Sequence, residues 1–190
     1  MNIHSYSMQL DGERLPLLVR EKSFYRIDRR VRYDRPVLFR DLAKDIGLHR
    51  MAEEYVYCIC VDTKMRVIGL FEVTHGTVNV SFASPREIFQ KALMLGAVHI
   101  ILMHNHPSGD PTPSGLDIEV TNRVKNAGDI IGISLLDHVI IGDDSYLSLN
   151  EAGYINFSTN ARLVKKHCQW WCFFIFYYIC YSGEIWTYTE

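Results

Sequence analysis

The stretch His99-Ile100-Ile101-Leu102-Met103-His104-Asn105-His106-Pro107-Ser108-Gly109-Asp110-Pro111-Thr112-Pro113-Ser114-Gly115-Leu116-Asp117 decides how this chain folds. His99–Met103 has the length and apolar continuity of a strand buried on both faces. The loop that follows, Asn105 to Pro113, holds three prolines and one glycine. Ser114-Gly115-Leu116-Asp117 has capping-box spacing and opens a helix expected to reach about Ala127, with Gly128 beyond it. A buried strand, a stiff loop and a capped helix in direct succession form an α/β unit.

The same alternation extends on both sides. Pro36 opens a helix whose apolar face is Val37, Leu38, Leu42 and Ile46, with Gly47 ending its first part. Tyr55–Asp62 and Arg66–Thr74 read as strands around a turn at Thr63–Met65, Gly76 breaks the second, and Val78–Phe82 continues as a shorter one. Ser84-Pro85-Arg86-Glu87 reads as a capping box with proline at the first helical position, and Gly96 stops that helix. Downstream, Ile133–Gly142 and Tyr146–Leu149 are strands around a turn at Asp143-Asp144. The expected architecture is an α/β sandwich around a mixed sheet.

At 190 residues the chain is long enough for one domain with a full core. Its 48% apolar and 22% charged residues are ordinary for a globular protein, and a formal net charge of -2 does not mark a nucleic-acid binder. Residues 1–35 lack periodicity and read as an irregular arm. Residues 1–40 hold nine Arg/Lys against five Asp/Glu, a local basic excess that reads first as a solvated segment and second as a phosphate-contacting arm. No secretory leader is visible at Met1–Pro16. The five cysteines are an odd number, and Cys58 and Cys60 sit two apart in a strand, so reduced thiols in the cytoplasm are expected. Residues 36–155 carry the domain, and 156–190 form an aromatic-rich tail. Its twelve-residue run Trp170–Tyr181 falls short of the about 20 residues that span a bilayer.

His104 and His106 point the same way in an extended segment and stand at a strand end, where a site is rigid but open. Asp117 lies in the first helical turn, where a carboxylate is favoured. Two imidazoles and a carboxylate suit zinc and leave a fourth tetrahedral position for water. Glu72, near the end of a strand, is the expected base. Ser114 caps the helix and could offer its hydroxyl to an oxyanion. A lone His-x-His pair has little specificity, and Asp110 and Asp117 also fit turn and cap roles. The conjunction of strand end, rigid loop and helix start is what carries weight.

Glu72, His104-x-His106, Ser114 and Asp117, with ten residues between His106 and Asp117, resemble the JAMM signature of the JAB/MPN metalloproteases. Gly76-Thr77-Val78-Asn79, Ser84-Pro85-Arg86-Glu87, His104 through Ser114, and Leu136-Asp137-His138-Val139-Ile140-Ile141-Gly142 resemble its bacterial RadC-like branch. The resemblance covers roughly Pro36 to Ile155. It implies a cytidine-deaminase-like α/β fold, and one zinc ion on His104, His106 and Asp117. It further implies Glu72 as general acid/base, Ser114 stabilising the tetrahedral intermediate, and a peptide or protein substrate. RadC-like proteins were named for DNA repair, but the helix-hairpin-helix region that usually precedes the domain has no counterpart in residues 1–35.

The leading expectation is a zinc metallopeptidase or isopeptidase. A DNA-processing or mobile-element binding module and a zinc hydrolase of nucleic acid are the alternatives. His138 reads as a core histidine with its own hydrogen bond in preference to a partner for a zinc ligand. His75 reads as an exposed turn residue, and Asn105 as facing away from the metal and fixing the loop. His167, Cys168, Cys172 and Cys180 lack a familiar metal-site spacing.

Overall fold

The computed structural model describes residues 2–26, 31–76 and 83–155, with the backbone alone at 2–3 and 22–26. In chain order the elements are β1 (Asn2–Leu10), β2 (Pro16–Arg26), α1 (Pro36–Asp45), a 3-10 turn (Leu48–Arg50), β3 (Glu54–Val61), β4 (Val67–Gly76), α2 (Pro85–Met94), β5 (His99–Asn105), α3 (Gly115–Ile131), β6 (Ser134–Ile141) and β7 (Tyr146–Ser148). The seven strands make one mixed sheet in the order β2-β1-β4-β3-β5-β6-β7. β5 runs parallel to β6, β1 meets β4 in parallel at Ser5 and Leu70, and the other neighbours are antiparallel.

Period-two alternation along the central strands divides the core into two layers. Val56, Cys58 and Cys60 of β3 and Ile100 and Leu102 of β5 turn to one face, where Ile88, Phe89 and Ala92 of α2 and Val120 and Val124 of α3 cover them. Ile59 and Val61 of β3 and Ile101 and Met103 of β5 turn to the other, under Phe39, Leu42 and Ala43 of α1. This is why His99–Met103 is continuously apolar: each neighbouring residue serves a different layer. Any residue added to a strand end inherits the face its parity dictates.

Within the segment expected to be an irregular arm, residues 2–26 are instead regular. β1 and β2 form a hairpin whose turn is closed by Asp11 Oδ1 accepting from the amides of Glu13 (2.9 Å) and Leu15 (2.8 Å). Among the described side chains of this hairpin only Ser5 is buried. Backbone pairing holds it and none of its described apolar side chains is fully buried, so it left no clear hydrophobic period to read.

Two helix ends also differ from the expectation. α3 runs through Gly128 to Ile131 and ends at Gly132, whose φ of 86° is left-handed. Gly128 is a packing residue, because a Cβ there would lie 2.4 Å from the carbonyl oxygen of Ile133 and 3.0 Å from the Phe89 ring. At α2 the Ser84 side chain makes no cap hydrogen bond, and Pro85 alone marks the start. The expected strand Val78–Phe82 and the tail 156–190, with His167, Cys168, Cys172 and Cys180, lie outside the described residues. Among the described residues no helix is long and apolar enough to cross a membrane.

Candidate metal centre

His104 shares the face of Leu102, the face that α3 covers, and is fully buried. His106 follows two residues later, just past the end of β5. α3 starts directly over this strand end and brings Asp117, 1% exposed, down onto the pair. Ser114 and Asp117 form a true capping box: Ser114 Oγ accepts from the Asp117 amide (3.2 Å), and Asp117 Oδ2 accepts from the Ser114 amide and hydroxyl (both 2.7 Å). Those bonds fix the carboxylate and leave Oδ1 facing His104. The Ser114 hydroxyl proton is thereby held by the carboxylate.

The three donor groups converge. His104 Nε2 lies 3.0 Å from His106 Nε2 and 3.4 Å from Asp117 Oδ1, and His106 Nε2 lies 3.5 Å from Asp117 Oδ2. Ligands at usual zinc distances sit about 3.3 Å apart along the edges of a tetrahedron, close to these separations, with the two Asp117 oxygens each facing a different imidazole. One atom from each of His104, His106 and Asp117 lies within 4.8 Å of the others. His106 Nδ1 is 2.8 Å from the carbonyl oxygen of Asp110. A carbonyl only accepts, so Nδ1 carries the proton and a neutral His106 turns a bare Nε2 lone pair to the cluster. Lone pairs and a carboxylate brought this close make a group that could hold a metal ion.

The electrostatics agree. Burial pushes the His104 imidazolium well below the ordinary histidine range, with His138 adding to the effect. His106 is pulled the other way, first by its hydrogen bond to Asp117. Asp117 is held below the usual carboxylate range despite burial, by His106, His104 and Ser114.

Behind His104, its Nδ1 lies 2.7 Å from His138 Nε2, and His138 Nδ1 lies 2.6 Å from Thr121 Oγ1. Thr121 in turn bonds the carbonyl oxygen of Asp117 at 2.5 Å. Burial lowers the His138 pKa to about 4. His138 is therefore a partner of a candidate ligand, not a core histidine with a bond of its own.

Glu72 is not brought to this cluster. It pairs with Tyr57, whose side chain belongs to the α1 face, and its Oε1 takes His75 Nδ1 at 2.5 Å. His75 is exposed, as expected, but lies in strand β4 opposite Tyr55 and not in a turn, and it stacks on Tyr55 on that same face. The carboxylate that the strand register directs toward the centre is Glu54, which the sequence reading missed by starting β3 one residue late. Val56 is opposite His104 in the β3–β5 register, so Glu54, two residues back, shares the face and level of His106. Burial raises the Glu54 pKa, with His106 lowering it and Asp117 raising it, so the group feels both ligands. Asn105 turns away from the cluster, as its parity predicts, and acts on the segment around Glu54. Its Oδ1 accepts from the Tyr55 amide (2.8 Å), and its Nδ2 donates to the carbonyls of Met51 (3.2 Å) and Glu53 (2.9 Å).

A helix-covered mixed sheet, with paired histidines at a strand end and an aspartate at a helix start closing on one point, defines an α/β domain of the JAB type with a candidate metal centre. The chain belongs to the RadC-like JAB domain family, whose model matches residues 37–154. It is 49% identical over 108 residues to a UPF0758 protein of Halalkalibacterium halodurans, covering 57% of this chain and 47% of the relative. A UPF0758 protein of Clostridium botulinum is 43% identical over 141 residues, covering 73% and 60% respectively. One from Bacillus licheniformis is 48% identical over 105 residues, 55% of this chain and 47% of the relative. The chain thus spans about half to three fifths of the length of these relatives.

Proposed function

We propose that this chain is a zinc-dependent hydrolase of amide bonds, a metallopeptidase or isopeptidase, with His104, His106 and Asp117 holding one zinc ion. The carrying observation is the convergence of these three side chains, one ligand atom from each within 4.8 Å of the others, with a second acidic residue, Glu54, at the level of His106 in the strand register. Bound zinc would supply the Lewis acidity that makes water a nucleophile near neutral pH and polarises a carbonyl.

Glu54 takes the role first expected of Glu72. Its carboxylate removes the proton of the attacking water and returns it to the leaving amine. Burial raises its pKa, which makes the carboxylate a stronger base. Asn105 holds the backbone on both sides of Glu54, so the base cannot drift along the strand. Ser114 stabilises the oxyanion by turning its hydroxyl away from Asp117 Oδ2, a bond it makes at rest. The buried free thiols of Cys58 and Cys60 fit work in the reducing cytoplasm.

The test is hydrolysis of a panel of peptide and isopeptide substrates, with single- and double-stranded DNA included because the same base would serve a phosphodiester. The full chain should purify with stoichiometric zinc, lose activity to a chelator, and lose it in Glu54→Gln with zinc retained. Metal-free protein from a zinc-replete preparation would overturn the proposal.

A further inference from the structure

We infer that Thr121 and His138 are positioning residues that fix the tautomer of His104 and so aim a bare Nε2 lone pair at the cation site. This rests on the metal-centre reading and goes beyond it, since neither residue touches the site.

Thr121 Oγ1 stands 2.5 Å from the carbonyl oxygen of Asp117. Two oxygen lone pairs at that distance would repel, so the hydroxyl hydrogen lies between them and Thr121 has none left to donate. Toward His138 the same oxygen can only accept, so the proton of His138 is on Nδ1. A neutral His138 then has a lone pair on Nε2, and that atom accepts from His104 Nδ1 at 2.7 Å. His104, neutral and protonated on Nδ1, is left with Nε2 unprotonated, 3.4 Å from Asp117 Oδ1. All three members of the chain are essentially buried, so water offers no substitute partner.

The relay begins and ends on α3 and β5: the carbonyl that orients Thr121 belongs to Asp117, itself a candidate ligand. Thr121 is four residues beyond Asp117 on the helix, so the turn that supplies the carboxylate also supplies the hydroxyl. The final acceptor is a neutral imidazole where metal-binding histidines commonly use a carboxylate, backbone carbonyl or water. The orientation is therefore obtained without a second buried negative charge.

The experiment uses the full chain stripped of metal, at about pH 7.5, where ligand protonation competes little with metal. Long-range 1H–15N NMR correlations on its histidines should report His104 protonated at Nδ1 and bare at Nε2. Zinc titration against a chelating dye should give an affinity reduced roughly tenfold to hundredfold in Thr121→Val, the usual effect of losing such a partner, and restored in Thr121→Ser. Without the hydroxyl, His138 has no acceptor for its Nδ1 proton and shifts to the other tautomer, which the same spectrum reads. A wild-type spectrum with His104 protonated at Nε2 overturns the inference, as does zinc affinity unchanged in Thr121→Val. If Thr121→Val does not fold, the wild-type spectrum decides alone. Absence of zinc binding in the wild type contradicts the metal-centre reading instead, a result distinct from either.

Discussion

Glu54 and Glu72 stand on opposite faces of the same sheet: Glu54 shares the parity of Val56 under α3, and Glu72 pairs with Tyr57 on the side that α1 covers. Only one of the two carboxylates can reach the cluster of His104, His106 and Asp117. Glu54→Gln should lower hydrolysis by about 10²–10⁴-fold, the usual contribution of a positioned base, with zinc content unchanged. Glu72→Gln should stay within about twofold, because it loses only an exposed contact to His75. Steady-state rates with metal analysis on both variants check this, and the reverse ranking would contradict the face assignment.

Asn105 sits between the two histidines in sequence and makes three hydrogen bonds to the backbone flanking Glu54. Asn105→Ala strands one amide and two carbonyls near the core. It should cost about 1–3 kcal/mol, the range for unsatisfied buried groups, and lower kcat by loosening the base. Urea denaturation and kinetics measure both. A stable variant of normal kcat would show that the clamp is dispensable.

The site also sets the acid response of the metal-free fold. His138 has its folded pKa lowered from 6.5 to about 4, and His104 is lowered as well. The unfolded chain takes up protons that the folded chain refuses, so stability is lost as pH falls from 6.5 toward 4 and the loss levels off below. His138 alone accounts for about 3 kcal/mol over that window. His106, raised by Asp117, acts in the opposite sense, stabilising the fold below its unfolded value and losing that contribution as pH rises. The two fully buried rings outweigh the partly exposed one. Urea midpoints of chelator-treated protein should therefore fall between about pH 7 and pH 4, and flat midpoints would show that these rings are not desolvated as described.

Gly128 gives a test of sign. In an open helix Gly→Ala gains up to about 1 kcal/mol. Here the new Cβ would lie 2.4 Å from the Ile133 carbonyl oxygen, backbone that cannot step aside, and 3.0 Å from the Phe89 ring. Overpacking of this kind costs about 1–3 kcal/mol, so Gly128→Ala should lower the urea midpoint. A raised midpoint would mean that α3 sits farther from β6.

Much of the fold was legible because the central strands are buried on both sides and its helices carry proline and glycine at their ends. The clustering of His104, His106 and Asp117 was legible for a related reason: parity puts the two histidines together, and cap spacing puts Asp117 over them. Three features escaped. No described apolar side chain of the β1–β2 hairpin is fully buried, so its sequence shows no clear period. Glu54 was hidden by a strand boundary set one residue late, although its alternation with Val56 and Cys58 carried the signal. Thr121 and His138 meet only when α3 docks on β6, and four-residue spacing from Asp117 was the sole local hint.

The central claim is that His104, His106 and Asp117 hold one cation. Calorimetric titration of the chelator-stripped full chain with zinc at about pH 7.5 tests it most directly. The account predicts one ion bound per chain, and loss of that binding in His106→Ala and Asp117→Ala while the fold survives. No binding by the wild type, or undiminished binding by both variants, would contradict it.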